Sequence, residues 1–177
     1  MSEMRKIAVV MGSDSDLPQC VAGLEYLQER GNEGRINVRS VETRSVHRNM
    51  EALFTWLYGI RVHFDPDVIL AGAGMAAHLP GMLDARLRYS LSDTKIVVIG
   101  VAFENDQDPG TLAAKLSISH VPGTQVVWHD NQGQFVGPDG FYRACVVAAD
   151  GGLPQIALPK ARAPQSRSMQ EVLATFN

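Results

Sequence analysis

An α/β domain is expected of this chain, with a parallel sheet of about five strands and helices on both faces. Two observations lead there. Strand and helix signals alternate along most of the sequence, the pattern of strands joined by crossover helices. The strand segments also read as solid apolar runs, as they do when both sheet faces are covered. The 177 residues suit one domain, large enough to bury a core without disulfide or metal staples.

The elements follow in order. Residues 5–11, RKIAVVM, are short, continuous and β-branched, as in a buried strand. In QCVAGLEYLQERG, Val21, Leu24 and Leu27 recur at helical spacing and Gly31 is a plausible stop. NVRSVET alternates polar and apolar residues, which suits a second strand. MEALFTWLYGIRVHF predicts a helix whose Met and aromatic residues fit core packing. DPDVILAGAG predicts a third strand ending in glycines, and MAAHLPGMLDARLRYSL a helix broken or started late by Pro80. TKIVVIGVAF is a fourth strand, DPGTLAAKLSISH a helix opened by Asp108-Pro109, and GTQVVWHD a fifth strand, over 123–130. Beyond His129 the pattern changes. NQGQFVGPDG is turn-rich, FYRACVVAAD predicts a helix, GGLPQIALPKARAPQSRS an extended segment, and MQEVLATF a short closing helix. That tail is expected to be a plain surface segment, with a wrap around a neighbouring subunit or a mobile arm as the other readings.

Composition excludes several classes. Apolar residues make up 45% and charged residues 20%, close to globular averages. A net charge of -3 gives no electrostatic case for nucleic acid or an anionic membrane as partner. No apolar run reaches the ~20 residues of a membrane span. The first residues, MSEMRKIAVVMGSDSD, lack the shape of a signal peptide. Cys20 and Cys145 form no CxxC pair, so two free thiols and a cytoplasmic location are expected. No His/Cys/Asp cluster suggests a metal, and no GxSxG elbow suggests acyl transfer.

In an open parallel sheet, ligands bind beyond the carboxyl ends of the strands. Three segments place unusual residues there. The first strand ends in GSDSD. Gly12 permits a tight turn, the following amides suit an anion, and Ser13 adds a hydroxyl, while Asp16 suits ribose hydroxyls. The plainer reading is that Asp14 or Asp16 caps the next helix, and alone the segment favours it. It is neither a P-loop nor a dinucleotide fingerprint. The second strand ends in SVHR, where Arg48 can fork a phosphate and His47 can move protons near neutral pH; the plainer reading is an exposed turn. The third ends in AGAGMAAHLPGM, whose glycines and Pro80-Gly81 weaken regular structure where backbone must approach a ligand. His78 there is either a second polar ligand group or a satisfied structural histidine. His63 and His129 have no companions at ligand spacing, and His120 suits the end of its helix.

VVMGSDSD, SVHR and AGAGMAAHLPGM together resemble, in order and spacing, the signature segments of the PurE family, the N5-carboxyaminoimidazole ribonucleotide mutases of purine biosynthesis. IGV and LSISHVPGTQV resemble its fourth and fifth strand regions, so the likeness covers roughly residues 5–127. The resemblance implies a flavodoxin-like three-layer fold assembled as an octamer, with sites at strand ends and subunit edges. It implies transfer of a carboxylate from the exocyclic nitrogen to the neighbouring ring carbon of an aminoimidazole ribonucleotide. Neither metal, biotin nor ATP is implied for that step, and so no cofactor. The family's catalytic histidine matches His47. Its phosphate and ribose ligands match Ser13, Asp16 and Arg48, and the loop of Gly74, His78 and Leu79 would wall the base and the carbon dioxide pocket. Residues 1–177 would be a single domain, with 130–177 a divergent extension. Three positions depart from the family pattern: Asn49-Met50 replaces Thr-Pro, Met75 replaces Gly, and Ala102-Phe103 stands where Pro follows IGV. All three are expected to border one cavity. They leave two alternatives: a diverged carboxylase or decarboxylase acting on another ribonucleotide-like substrate, and a nucleotide-binding module without catalysis.

Overall fold

The fold was obtained as a computed structural model describing residues 4–106 and 109–176. Asp108, the expected helix opener, and residues 1–3 of the amino-terminal segment lie outside the described residues. Four parallel strands form the sheet in the order β2-β1-β3-β4: β1 (Arg5–Met11), β2 (Ile36–Thr43), β3 (Val68–Ala73) and β4 (Val97–Ala102). β1, β3 and β4 are buried almost throughout, whereas β2 lies at the edge and keeps the alternation seen in its sequence.

Successive strand residues serve opposite faces. Ala8, Val10, Ile69, Ala71 and Val98 pack against α2 (Met50–His63), α3 (His78–Ala85) and α4 (Gly110–Ser119). Ile7, Val9, Leu70, Ile99 and Val101 pack against α1 (Val21–Asn32) and α5 (Gly137–Asp150). This is the expected three-layer, flavodoxin-like sandwich. Buried Cys20 and Cys145 belong to the second layer, as free thiols. Pro80 sits in the first turn of α3, where its missing N–H costs nothing, so the helix starts late. Pro138 does the same for α5, which therefore begins at Gly137, ahead of the expected start at Phe141.

The fifth sheet position departs from expectation. Over 123–130 no ladder to β4 forms among the described residues. Val127 bridges β4 through two bonds, Gly100 N–H to Val127 O (2.8 Å) and Val127 N–H to Val98 O (2.9 Å). A small hairpin, β5 (His129–Asp130) and β6 (Gly133–Gln134), then turns the chain back. Val136 makes a second bridge to Ala102. The turn-rich insertion thus splits one strand into two single bridges. The tail starts against the body, where the Gln125 carboxamide exchanges two hydrogen bonds with the Ala157 backbone. α6 (Met169–Phe176) follows, with no buried residue.

Strand register positions the site. Met11 pairs with Thr43 and with Gly72, and Ala73 pairs with Ala102. The carboxyl ends of all four strands are level, so the segments from Gly12, Arg44, Gly74 and Phe103 emerge along one edge.

Candidate functional site

A cleft of about 550 Å³ opens on that edge. Six of the seven singled-out residues line it: Ser13, Asp16, His47, Arg48, Gly74 and Leu79. The seventh, His78, reaches it through His47. The His47 Nε2 lies 2.9 Å from His78 Nδ1, with the rings near perpendicular at 80°.

Each side chain is placed by local rules. Ser13 is extended and caps a 3-10 turn, Asp14–Cys20, that leads into α1; its Oγ accepts from the Ser15 N–H at 3.4 Å and the Ser15 hydroxyl at 2.9 Å. The cap is therefore Ser13, not Asp14 or Asp16. Asp14 points to solvent, which leaves Asp16 to turn inward, only 7% exposed. Burial pushes the Asp16 carboxyl above its ordinary value; the backbone N–H groups of Gly74 and Ser13 and the nearby Arg48 charge pull it back in part. The loop after β2 folds as a turn: Arg48 N–H donates to Ser45 Oγ (3.3 Å) and Asn49 N–H to Ser45 O (3.1 Å). Buried Val46 anchors this turn, and His47 and Arg48 stand exposed on it. His78 opens α3, and Leu79, fully buried, forms the cleft floor.

The three departures do not share one cavity. Met75 alone lines the cleft; it is 53% exposed and holds a left-handed backbone, φ 51°. Asn49 is the residue preceding α2, and Ala102 is buried within β4. Phe103 is fully buried above Gly72, where an added Cβ would meet its ring at 2.5 Å, and it packs on Phe141 with ring centroids 5.9 Å apart. That aromatic fills a core space at the strand end. Ser15, Ser45 and Asn105 also line the cleft and were not singled out. The serines lie inside the quoted motifs; a lone Asn in a polar loop carried no signal. His63, His120 and His129 lie outside the lining, His120 bonded to Ser119 Oγ at 2.6 Å and His129 edge-on to Trp128.

The same segments decide the family. A model of the AIR carboxylase family matches residues 6–129. The chain belongs to the AIR carboxylase family. Its relatives include an N5-carboxyaminoimidazole ribonucleotide mutase of Thermotoga maritima, 36% identical over 120 residues, 68% of this chain and 62% of that protein. One of Mycobacterium tuberculosis is 37% identical over 120 residues, covering 68% and 61%. One of Pyrococcus abyssi is 34% identical over 148 residues, covering 83% and 73%. The chain thus spans about three fifths of the length of the first two, 62% and 61%. Among solved structures, Treponema denticola PurE superimposes with a TM-score of 0.55 at 15% identity, covering 82% of this chain and 87% of that one. A PurE2 variant from the same organism gives 0.59 at 15%, covering 83% and 87%. These neighbours share the AIR carboxylase fold with this chain. The family match stops at residue 129, so α5 and the tail lie beyond it.

Proposed function

We propose that the chain is an N5-carboxyaminoimidazole ribonucleotide mutase of purine biosynthesis. The observation that carries this reading is one cleft in which an imidazole stands with a guanidinium, a buried carboxylate and several hydroxyls at the ligand-binding end of the sheet. The names of the mutase relatives support it.

In this proposal Ser13, Asp16 and Arg48 hold the phosphoribosyl group. The Arg48 side chain has no hydrogen bond or ion pair among the described residues, which leaves its fork for a phosphate. Asp16 accepts from ribose hydroxyls. Gly74, His78 and Leu79 wall the base and retain carbon dioxide. His47 protonates the exocyclic carbamate nitrogen as its bond to the carboxyl carbon breaks. The neighbouring ring carbon then attacks the trapped carbon dioxide, and His47 takes back the proton from that carbon. One imidazole serves both transfers, and the bond to His78 couples the tautomers of the two rings. No cofactor enters the step. The reading further includes a small ribonucleotide substrate, a homo-octamer with sites at subunit edges, a cytoplasmic location, and one domain over 1–177 with 130–177 as its extension.

The test is direct: pure protein is mixed with N5-carboxyaminoimidazole ribonucleotide and the 4-carboxy product is followed. Turnover of roughly 1 per second or more is expected. No conversion above the uncatalysed rate sinks the reading. Met75 favours a second one, a diverged carboxylase or decarboxylase for another ribonucleotide, because its thioether occupies cleft wall. In that case the wild type turns over the mutase substrate poorly and Met75→Gly improves it.

A further inference from the structure

The turn that carries Asp16 is held at both ends. At its start Ser13 caps it, and Asp16 N–H donates to Ser13 O at 3.1 Å. Near its far end Gln19 reaches out of the turn, three residues beyond Asp16. The Gln19 carboxamide exchanges two hydrogen bonds with the Glu104 backbone: Nε2 donates to Glu104 O, and Oε1 accepts from Glu104 N–H, both at 3.0 Å. One side chain thus satisfies the donor and the acceptor of one residue. Glu104 follows β4, the turn follows β1, and β3 lies between those strands. The clamp therefore joins two strand ends that do not pair.

The end of β3 completes a ring. Phe103 N–H donates to Ala73 O at 3.0 Å, which fixes the chain after β4 beside β3. The neighbour of Ala73, Gly74, gives its N–H to the Asp16 carboxyl. The approach there is close: a Cβ on Gly74 would stand 3.2 Å from Asp16 Oδ1. Hydrogen bonds thus run from Asp16 to Gly74, from Ala73 to Phe103, and from Glu104 back to Gln19. The anchor is itself held further on, where the Thr111 hydroxyl accepts from Asn105 N–H at 2.9 Å and donates to Asn105 O at 3.3 Å.

Such a ring has work to do. An ionised carboxyl regains hydration by leaving a buried position. Asp14, two residues earlier on the same turn, shows the alternative and faces solvent. Gln19 does not line the cleft, so any effect it has there passes through the turn.

We infer that Gln19 is a positioning residue that keeps the Asp16 carboxyl turned into the cleft. The inference rests on the reading of the cleft as a ribonucleotide site with Asp16 on the ribose. Without the clamp the turn gains freedom, Asp16 faces the ligand in only a fraction of molecules, and affinity falls by that fraction.

Calorimetry with aminoimidazole ribonucleotide and with ribose 5-phosphate tests it. The proteins are wild type, Gln19→Met, Asp16→Ala, Arg48→Ala, and the double variants that combine Gln19→Met with each of the other two. Methionine keeps the bulk of glutamine and loses both bonds. Gln19→Met should weaken both ligands roughly threefold to tenfold, the worth of a neutral hydrogen bond. Added to Asp16→Ala it should cost nothing more, because the group it positions is already gone; added to Arg48→Ala the losses should sum. Gln19→Glu keeps the acceptor and loses only the donor. It should fall between wild type and Gln19→Met, and it carries the test should Gln19→Met not fold. Wild-type affinity in Gln19→Met and Gln19→Glu, even with lowered melting temperatures, would make the clamp merely structural and overturn the inference. Full additivity with Asp16→Ala overturns it as well. Both results leave the ribonucleotide site standing. A wild type that binds neither ligand overturns the site reading and the inference with it.

Discussion

Asp16 and Asp93 are equally buried, each 7% exposed, and their carboxyls are driven in opposite directions. Asp93 belongs to a saturated network. Burial alone would raise it, but the Ile96 N–H, the Arg61 guanidinium and the Lys95 N–H outweigh burial and hold it below the ordinary value. Beside it, Arg88 is wholly buried and every arm is used: Nε on Asp84 at 3.0 Å, one terminal nitrogen on Asp93 O at 2.7 Å, the other on Ile96 O at 2.6 Å. In the cleft, burial wins at Asp16, and the Arg48 side chain, though its charge acts on Asp16, makes no hydrogen bond or salt bridge among the described residues. The Asp84–Arg88–Asp93 network is fully satisfied by the fold. The polar groups of the cleft keep capacity in reserve, and a ligand is what would use it.

Four measurements break or sharpen this contrast. The largest effect is expected at His47. His47→Asn should cut turnover by roughly 10²–10⁴ and change stability by no more than about 0.5 kcal/mol. A variant that keeps most of its activity would remove His47 from the chemistry. Next comes the pair of arginines. Arg88→Ala strands Asp84 and two carbonyls and should cost about 3–5 kcal/mol of stability, read by denaturant unfolding. Arg48→Ala should leave stability nearly unchanged and weaken ribonucleotide binding by about 1.5–3 kcal/mol. Comparable stability losses in the two variants would erase the distinction.

Smaller effects follow. Met75 sits at φ 51°, which costs a residue with a Cβ about 1 kcal/mol. Met75→Gly should therefore be more stable than Met75→Ala by about that amount, since both lose the same exposed thioether. Equal melting temperatures would mean that the loop relaxes. Last is the pH dependence of the two carboxylates. Asp16 is raised on folding, so its contribution is present below the ordinary value of 3.8 and lost as pH rises through the raised one. Asp93 is lowered, so its contribution is present above 3.8 and lost as pH falls through the lowered value. Relative to Asp16→Asn, the wild type should lose stability as pH rises; relative to Asp93→Asn, it should lose stability on acidification. Slopes of the same sign would contradict the assignment.

Much of this was legible in the chain because periodicity reports burial. β3, β4 and most of β1 are apolar since helices cover both faces, and the alternation in NVRSVET, expected simply as a second strand, belongs to the strand at the sheet edge. The cleft was legible for a related reason: glycines, hydroxyls and charges collected just past apolar runs. What periodicity cannot see stayed hidden. Asp84 and Arg88 have the spacing of an exposed helical ion pair, yet both are buried, because their partners come from 93–96 and 124–125. The Glu104 backbone is held by Gln19, distant in sequence and adjacent only through the fold. The fifth strand failed because the hairpin at 129–134 diverts the chain, and pairing partners are not written in a run of apolar residues.

The two thiols of the α1 and α5 layer make that layer's breathing measurable. Cys20 lies in the turn that carries Asp16, and burial together with that carboxylate pushes its thiol to about 12. Cys145 sits in α5 and is raised as well, chiefly by burial and further by Cys20. At neutral pH neither presents a thiolate to solvent in the closed state, so an alkylating reagent reacts only with molecules that have opened. The modification rate therefore counts openings, with no added probe. Comparing the two sites would show whether the turn bearing Asp16 swings out by itself or only together with α5.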